Sequence, residues 1–185
     1  MAVPSKSAEP IVSLIATVDE NGSIEARDAN FWRRTGSAER LDALTRNRAI
    51  VLGRRTYASL SFLSPDRWFF VLTRDPDLLE EGGARYLSGY GFWFMPDLGA
   101  GIEAARHIAQ RVSAPELFVL GGAGVLAEAY PAAQRVYRTL ARGQRSCTER
   151  LAGLGDGGWR SVHAERSVRN ADGSEHQFAV LERLP

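Results

Sequence analysis

The stretch "AIVLGRRTYASL" (residues 49–60) decides how this chain is interpreted. It begins with a short apolar run, which predicts a buried strand, and continues with a glycine, two arginines and a threonine just before a short predicted helix, "TYASLS". Free backbone N–H groups and a partial positive charge gather where a helix begins, so this corner suits a phosphate group. A basic, solvent-exposed turn would have the same sequence, and the rest of the chain has to distinguish the two interpretations.

Two further predicted strands end in groups of the same kind. The strand "RWFFVLTRD" (67–75) contains Thr73 and Arg74 near its end, and the strand "ELFVLGG" (116–122) runs into a glycine-rich turn. Ligands of open α/β sheets bind beyond the carboxyl ends of the strands. Arginines at two corners could add charge-assisted hydrogen bonds to phosphate oxygens, each worth about 1.5–3 kcal/mol. We therefore predict one phosphate-bearing ligand across the three corners.

The glycine-rich turn also satisfies the pattern G-x-G-x-x-A from Gly122 to Ala127. That dinucleotide-binding fingerprint belongs to the first strand–helix turn of a unit that carries an acidic residue after its next strand. Here the motif lies late in the chain, and the next predicted strand, "QRVYRTL", carries no acid at its end. A tight strand-to-helix turn is therefore the interpretation favoured for this motif alone.

Predicted strands and helices alternate along most of the chain. The first strand is "IVSLIATV" (11–18), and helices are expected over "SAERLDALTRN" (37–47), "GAGIEAARHIAQRV" (99–112) and "GVLAEAY". Residues 80–100 are expected to hold a strand and an inserted loop. The closing segments "GWRSVHAERSV" and "HQFAVLERL" predict an antiparallel hairpin. The pattern predicts an α/β fold with a mostly parallel central sheet, an antiparallel C-terminal edge and flanking helices.

Length and composition predict a single domain over residues 11–185, preceded by a flexible segment, residues 1–10. The net charge of +1 argues against binding of nucleic acid through a large basic face. With one cysteine and three scattered histidines, neither a disulfide framework nor a metal site is expected. No apolar run reaches membrane-spanning length and no leader segment is evident, so a cytoplasmic protein is expected.

Taken in order, these pieces resemble the dihydrofolate reductase family. The matching segments are "GRRTYASL", "SPDRWFFVLTRD" and "ELFVLGGAGVLAEAYPAAQRVYRT", with Trp32 upstream of the first. The resemblance implies the family's three-layer fold and an NADPH-dependent reductase that transfers hydride to a pterin, from dihydrofolate to tetrahydrofolate, or to a similar heterocycle. The related reductase domain of riboflavin biosynthesis shares the fold, so an aminopyrimidine substrate stays open. A third possibility that also stays open is a non-catalytic relative that only binds NADPH or folate.

The resemblance implies NADPH as the cofactor and assigns its parts to the three corners. Arg74, with Thr73, would bind the 2′-phosphate, and the first corner would meet the pyrophosphate and the adenosine side. Trp32 would lie in a mobile loop covering the nicotinamide. Two adjacent glycines would be joined by a cis peptide bond, which costs about 2.5–4 kcal/mol without proline. The implied cofactor contacts are Ala16, Gly53, Arg54, Arg55, Thr56, Thr73, Arg74, Gly121, Gly122, Ala123, Gly124 and Val125.

On the substrate side the resemblance implies contacts from Ser59, Arg67 and Thr139. Arg67 would bind the glutamate carboxylate of folate, although a solvated arginine at the start of a strand would fit the same sequence. Thr139 would support the pterin ring. The alternative is that Thr139 has no such role, because β-branched residues are common in strands. No metal is implied.

The chain departs from the family pattern at the acid that holds the pterin and assists its protonation. Counting back from Gly53, that position is Ser37, which offers only a neutral hydrogen bond and also suits a helix N-cap. Glu39 would point to another helical face, and Asp28 lies in the loop before Trp32. Ser37, Glu39, Asp28 and Trp32 are therefore the candidate catalytic residues. The departure puts folate turnover in doubt more than cofactor binding.

The aromatic stretch "YGFWFMP" (90–96) has two interpretations. It could form an exposed patch that is buried in a homodimer, or it could pack in the core of a monomer. Both oligomeric states stay open on the sequence.

Overall fold

The computed structural model describes residues 9–19, 37–60, 66–85, 89–142, 158–169, 173 and 175–185. In these residues ten strands form one sheet. The strands are β1 (Ile11–Asp19), β2 (Ala49–Gly53), β3 (Trp68–Leu72), β4 (Ala84–Arg85), β5 (Gly91–Met95), β6 (Glu116–Leu120), β7 (Arg135–Arg142), β8 (Trp159–Ala164), β9 (Val168–Arg169) and β10 (Glu175–Arg183). The helices are α1 (Ser37–Thr45), α2 (Arg54–Ser59), α3 (Pro76–Glu81), α4 (Leu98–Arg111) and α5 (Ala123–Ala129), with a 3₁₀ turn at Tyr130–Ala132.

The strand order is β4-β5-β3-β2-β6-β1-β7-β10-β8, and β9 pairs with β10. The six strands from β5 to β7 run parallel, whereas β10 is antiparallel to β7, β8 and β9. The predicted α/β fold with an antiparallel C-terminal edge is confirmed. The short antiparallel strand β4 at the opposite edge was not predicted.

The central strands are apolar because helices cover the sheet on both faces. Leu14 and Ala16 of β1 lie in a core cluster on the face covered by α4 and α5. Ile15 lies in a second cluster on the other face, together with Leu41 of α1. Alternate residues of each strand therefore point into different clusters, and α1 lies across the sheet from α5.

Two segments differ from the sequence-based expectations. Helix α3 was not predicted; it spans only six residues, begins with Pro76, and ends at Gly82 in the left-handed conformation. The aromatic stretch forms β5, which pairs with β3. Phe92 and Phe94, both partly buried, pack against one core cluster and Trp93 against the other, as the core-packing interpretation expects, and a homodimer stays a prediction.

An ion pair joins α1 to the C-terminal part of the sheet. The guanidinium of Arg40 donates hydrogen bonds of 2.8 and 2.7 Å to the two carboxylate oxygens of Glu165, and it lies 3.8 Å from the centre of the Phe178 ring. These hydrogen bonds lower the pKa of Glu165, more than burial raises it. The pair helps to fix α1 over its face of the sheet.

Among the described helices, none has both the length and the hydropathy that crossing a bilayer requires.

Candidate active site

The three polar corners lie side by side at one edge of the sheet. β3, β2 and β6 are consecutive parallel neighbours, so their carboxyl ends share this edge. Gly53 is opposite Leu72, and Leu52 is opposite Leu120, so the three strands end at the same level. With about 4.8 Å between neighbouring strands, the corners span roughly 10 Å. The predicted convergence of the corners is confirmed.

At the first corner, β2 runs directly into α2. Gly53 is extended and precedes Arg54 and Arg55, whose side chains are exposed, whereas Thr56 is buried. The Arg54 guanidinium lies 3.2 Å from the carboxylate of Asp75 at the neighbouring corner. Two cationic side chains are thus available to a ligand at this edge, one of them held by an acid.

At the second corner, the backbone of Thr73 donates a hydrogen bond to the carbonyl of Met95, and its hydroxyl accepts one from the backbone N–H of Asp75. Thr73 is buried, and Arg74 between the two is exposed. The buried threonine thereby fixes the turn that presents the arginine to solvent.

At the third corner, Gly121 leads from β6 to α5. A methyl group on Gly121 would lie 2.7 Å from Cβ of Val125, so only glycine fits without a shift of the backbone. Val125 also lies within 3.6 Å of the position that a methyl group would take on Gly53. At Gly124 no atom of the described residues lies within 4 Å of the equivalent position, so a side chain there would have room. Residues 121–125 therefore line the corner next to β2.

The expected cis bond between Gly121 and Gly122 is not found. Every peptide bond among the described residues is trans, and Gly122 takes an ordinary extended conformation before α5. The trans form needs none of the free energy that a cis bond without proline requires.

On the α1 face, two threonines lie opposite each other in the register of β1 and β7. Thr17 pairs with Thr139, which in turn lies opposite Phe178 of β10. Thr17 is 3% exposed and Thr139 7%. Sequence analysis assigned a role to Thr139 but none to Thr17, since a threonine in a strand carries no distinguishing signal. Ala16, the predicted nicotinamide neighbour, points its buried side chain to the other face, so a ligand on the α1 face could meet only its backbone.

Of the four candidate catalytic residues, Glu39 alone has a described side chain. Glu39 is exposed, whereas Ala38 and Leu41 are the residues of α1 that pack against the sheet. Glu39 therefore faces solvent, because it lies on a different side of the helix. Ser37 begins α1, and its side chain lies outside the described residues, as do Asp28 and Trp32.

Arg67 lies just before β3, at the amino end of the strand, and is completely buried. Its Nε donates to the Thr45 hydroxyl, and its two terminal nitrogens donate to the carboxylates of Asp66 and Asp42 at 2.6 and 2.7 Å. A further hydrogen bond reaches the backbone carbonyl of Asp42. The interpretation of Arg67 as a solvated arginine is therefore wrong, because the end of α1 covers it. The expected contact with a substrate carboxylate stays a prediction.

Of the acids around Arg67, Asp42 is held in its charged form by the neighbouring arginines. Burial raises the pKa of Asp42, but hydrogen bonds from Arg46 and Arg67 outweigh that effect and leave the pKa below its usual value. Arg46 also lies 3.4 Å from Asp66, so two arginines and two aspartates of the described residues form one cluster. Ser59, the remaining predicted substrate contact, is half-buried and donates its hydroxyl to the carbonyl of Thr56.

The family model described as dihydrofolate reductase matches residues 11–183. The chain belongs to the dihydrofolate reductase family. Curated relatives include the type 3 dihydrofolate reductase of Salmonella typhimurium, 27% identical over 94% of this chain and 98% of the relative. The dihydrofolate reductase of Staphylococcus haemolyticus is 23% identical over 94% of this chain and 96% of the relative.

A solved dihydrofolate reductase of Enterococcus faecalis, complexed with NADP(H) and RAB-propyl, has the same fold. The TM-score is 0.69 at 20% identity, and the match covers 96% of this chain and 98% of that one. Family membership makes this protein a reductase of the dihydrofolate reductase type, and NADPH is the cofactor of that family, as the sequence resemblance implied.

Proposed function

We propose that this protein reduces dihydrofolate to tetrahydrofolate with NADPH. The observation that carries the proposal is the level alignment of three strand ends that bring Arg54, Arg74 and the turn at Gly121 to one edge of the sheet. When bound there, NADPH supplies the hydride, and the protein supplies orientation and exclusion of water.

The described residues suit the cofactor's phosphate groups. Arg74 is exposed next to a turn fixed by Thr73, which fits a guanidinium that binds the 2′-phosphate in a bidentate manner. Gly124 carries no side chain, and no atom of the described residues lies within 4 Å of its Cβ position, which suits a close approach of a pyrophosphate. Arg54 would exchange its contact with Asp75 for the phosphate oxygens.

The substrate would extend along α1. Its nine residues span about 12 Å from the carboxyl edge of the sheet, near Thr139, to Thr45 and Arg67 at the amino edge. An elongated molecule with a ring at one end and a carboxylate at the other matches this arrangement. We assign the ring to the threonine end and the carboxylate to the Arg67 end.

We further propose that Ser37 replaces the family's helix carboxylate. A serine hydroxyl can orient the ring but cannot stabilise a ring cation by its own charge, so the proton would come from water. Reduction would then be slower than in a relative with an acid at this position, and its rate would rise toward low pH as substrate protonation becomes easier.

The cluster around Arg67 favours a second candidate, a reducible heterocycle without a glutamate tail. Arg67 is fully buried and already contacts Asp42 and Asp66, so an incoming carboxylate would be repelled by two aspartates that are paired with the same guanidinium. A pterin without the tail, or an aminopyrimidine, would need no contact there. For either substrate the oligomeric state, monomer or homodimer, stays a prediction. The cytoplasmic location stays a prediction as well.

A substrate panel tests the proposal. The purified protein and NADPH are mixed with dihydrofolate, with a dihydropterin that lacks the glutamate tail, and with an aminopyrimidine, and nicotinamide absorbance and products are followed. We expect tetrahydrofolate to form in equal amount to the NADPH consumed. Consumption with the tail-free compounds alone would favour the second candidate. NADPH binding without any turnover would contradict the reductase proposal and support a non-catalytic binding protein.

A further inference from the structure

The carboxyl edge on the α1 face holds a buried hydroxyl without a hydrogen-bond partner among the described residues. Thr17 is 3% exposed, and its Oγ1 has no hydrogen-bond partner in the part of the chain that the structure describes. A buried hydroxyl without a partner is unfavourable, and most such groups in native proteins are paired. Its presence therefore points to a group that pairs with it when a ligand is bound.

The Thr17 hydroxyl lies where β1 extends beyond the end of its neighbour β6. β6 ends at Leu120, which lies opposite Ile15, so β1 continues past β6 to Thr17 and beyond. After Leu120 the chain turns at Gly121 into α5, which packs on the opposite face. Thr17 therefore has no partner residue in β6, the neighbour of β1 on the side away from β7.

Thr139 lies on the same face at the same level. Paired residues on neighbouring strands project to the same side, about 4.8 Å apart. Two hydroxyls thus lie next to each other below the start of α1, where Ala38 packs against the sheet. Each hydroxyl can donate one hydrogen bond and accept others, and each can rotate to suit its partner.

We propose that Thr17 is a substrate-recognition residue, whose hydroxyl acts with that of Thr139 to hydrogen-bond the amino and ring-nitrogen edge of a neutral pterin. The inference rests on the proposed function and names a determinant of substrate binding within it. A pair of rotatable hydroxyls matches an edge that presents both a donor and an acceptor, and it requires no charge on the ring. The Thr17 hydroxyl would thus gain its hydrogen-bond partner in the complex with the pterin.

The test compares Thr17→Val, which replaces the hydroxyl by a methyl group of nearly the same shape, with Thr17→Ser, which keeps the hydroxyl. The dissociation constants of folate and of NADPH are measured by quenching of tryptophan fluorescence, together with the thermal midpoint of the unliganded protein and the KM for dihydrofolate. We expect Thr17→Val to weaken folate binding and raise KM by about 5- to 20-fold, the range of one lost hydrogen bond.

The same variant should leave the dissociation constant of NADPH within about twofold, because the cofactor's phosphates bind at other corners. Its thermal midpoint should stay equal or rise, since an unpaired buried hydroxyl has been removed. Thr17→Ser should restore folate binding to within about threefold of the original protein, a rescue that a purely structural residue would not give.

Three results would overturn the inference. Unchanged folate binding by Thr17→Val would show that the hydroxyl does not contact the substrate. A lower thermal midpoint, with folate and NADPH affinity reduced together, would assign Thr17 a structural role. An original protein that binds NADPH but no pterin would refute the proposed function itself, and with it this inference.

Discussion

The guanidinium of Arg54 and the carboxylate of Asp75 form an ion pair across two neighbouring strand ends, with 3.2 Å between nitrogen and oxygen. Both side chains are more than a third exposed, so the pair itself adds little to stability. Under the proposed function the pair matters for binding, because Asp75 would compete with a phosphate for Arg54 and would add negative charge at the edge where the cofactor's phosphates are proposed to bind.

Asp75→Asn should therefore tighten NADPH binding, by about 2- to 5-fold at low ionic strength, and the gain should shrink as salt is added. Isothermal titration of NADPH measures the effect. Asp77→Asn is the matched control, since Asp77 is exposed in the same helix and forms no ion pair with the described residues. Equal gains in both variants would point to net charge rather than to release of Arg54.

Replacement of Arg74 tests the assignment of the 2′-phosphate. Arg74→Gln should weaken NADPH binding by about 10- to 100-fold and leave NADH binding within about twofold, because only NADPH carries that phosphate. The control is Arg111→Gln, which removes an exposed arginine in the last turn of α4. A similar loss for both cofactors, or none for either, would place the 2′-phosphate elsewhere.

The glycine corner gives a prediction for stability. Gly121→Ala should reduce the free energy of unfolding by about 1–3 kcal/mol, because the new methyl group would lie 2.7 Å from Cβ of Val125. Gly124→Ala should be neutral or stabilising by up to about 1 kcal/mol, since alanine favours helix and no atom of the described residues lies within 4 Å of the new methyl group. Chemical denaturation measures both variants. Equal stability of the two proteins would contradict the described packing.

The ion pair between Arg40 and Glu165 should make part of the stability depend on pH. The pKa of Glu165 is held below its usual value of 4.5 by the hydrogen bonds from Arg40. A carboxylate with a lowered pKa stabilises the fold above its unfolded pKa, and this contribution is lost as pH falls through the folded pKa. Glu165→Gln should thus be less stable than the original protein at pH about 7, and the difference should shrink as pH falls through the folded pKa of Glu165.

Urea denaturation at several pH values measures this convergence. Glu80→Gln serves as the control, since Glu80 is exposed in α3 and forms no ion pair with the described residues. A difference for Glu165→Gln that persists unchanged at low pH would show that packing, not charge, is what the substitution disturbs.

The fold could be predicted because its signals are local. The apolar runs of β2 and β6, each followed by glycine, are readable in the sequence, since a strand buried on both faces has no room for polar side chains. Helix α3 was missed because six residues without a buried position give no helical period.

The site could be predicted only in part. The arginines and glycines at the corners are visible in the sequence, but the sheet order that makes β3, β2 and β6 neighbours is a property of the whole fold. For the same reason the sequence did not reveal the burial of Arg67 under α1, or the missing hydrogen-bond partner of Thr17 within the described residues. Both depend on residues distant in the chain.

A crystal structure of the protein with NADPH is the most direct test of the account. We expect the 2′-phosphate against the guanidinium of Arg74 and the pyrophosphate beside the turn at residues 121–124, with Arg54 released from Asp75. NADPH bound at another edge of the sheet, or with its 2′-phosphate far from Arg74, would contradict the claim that these three strand ends form the cofactor site.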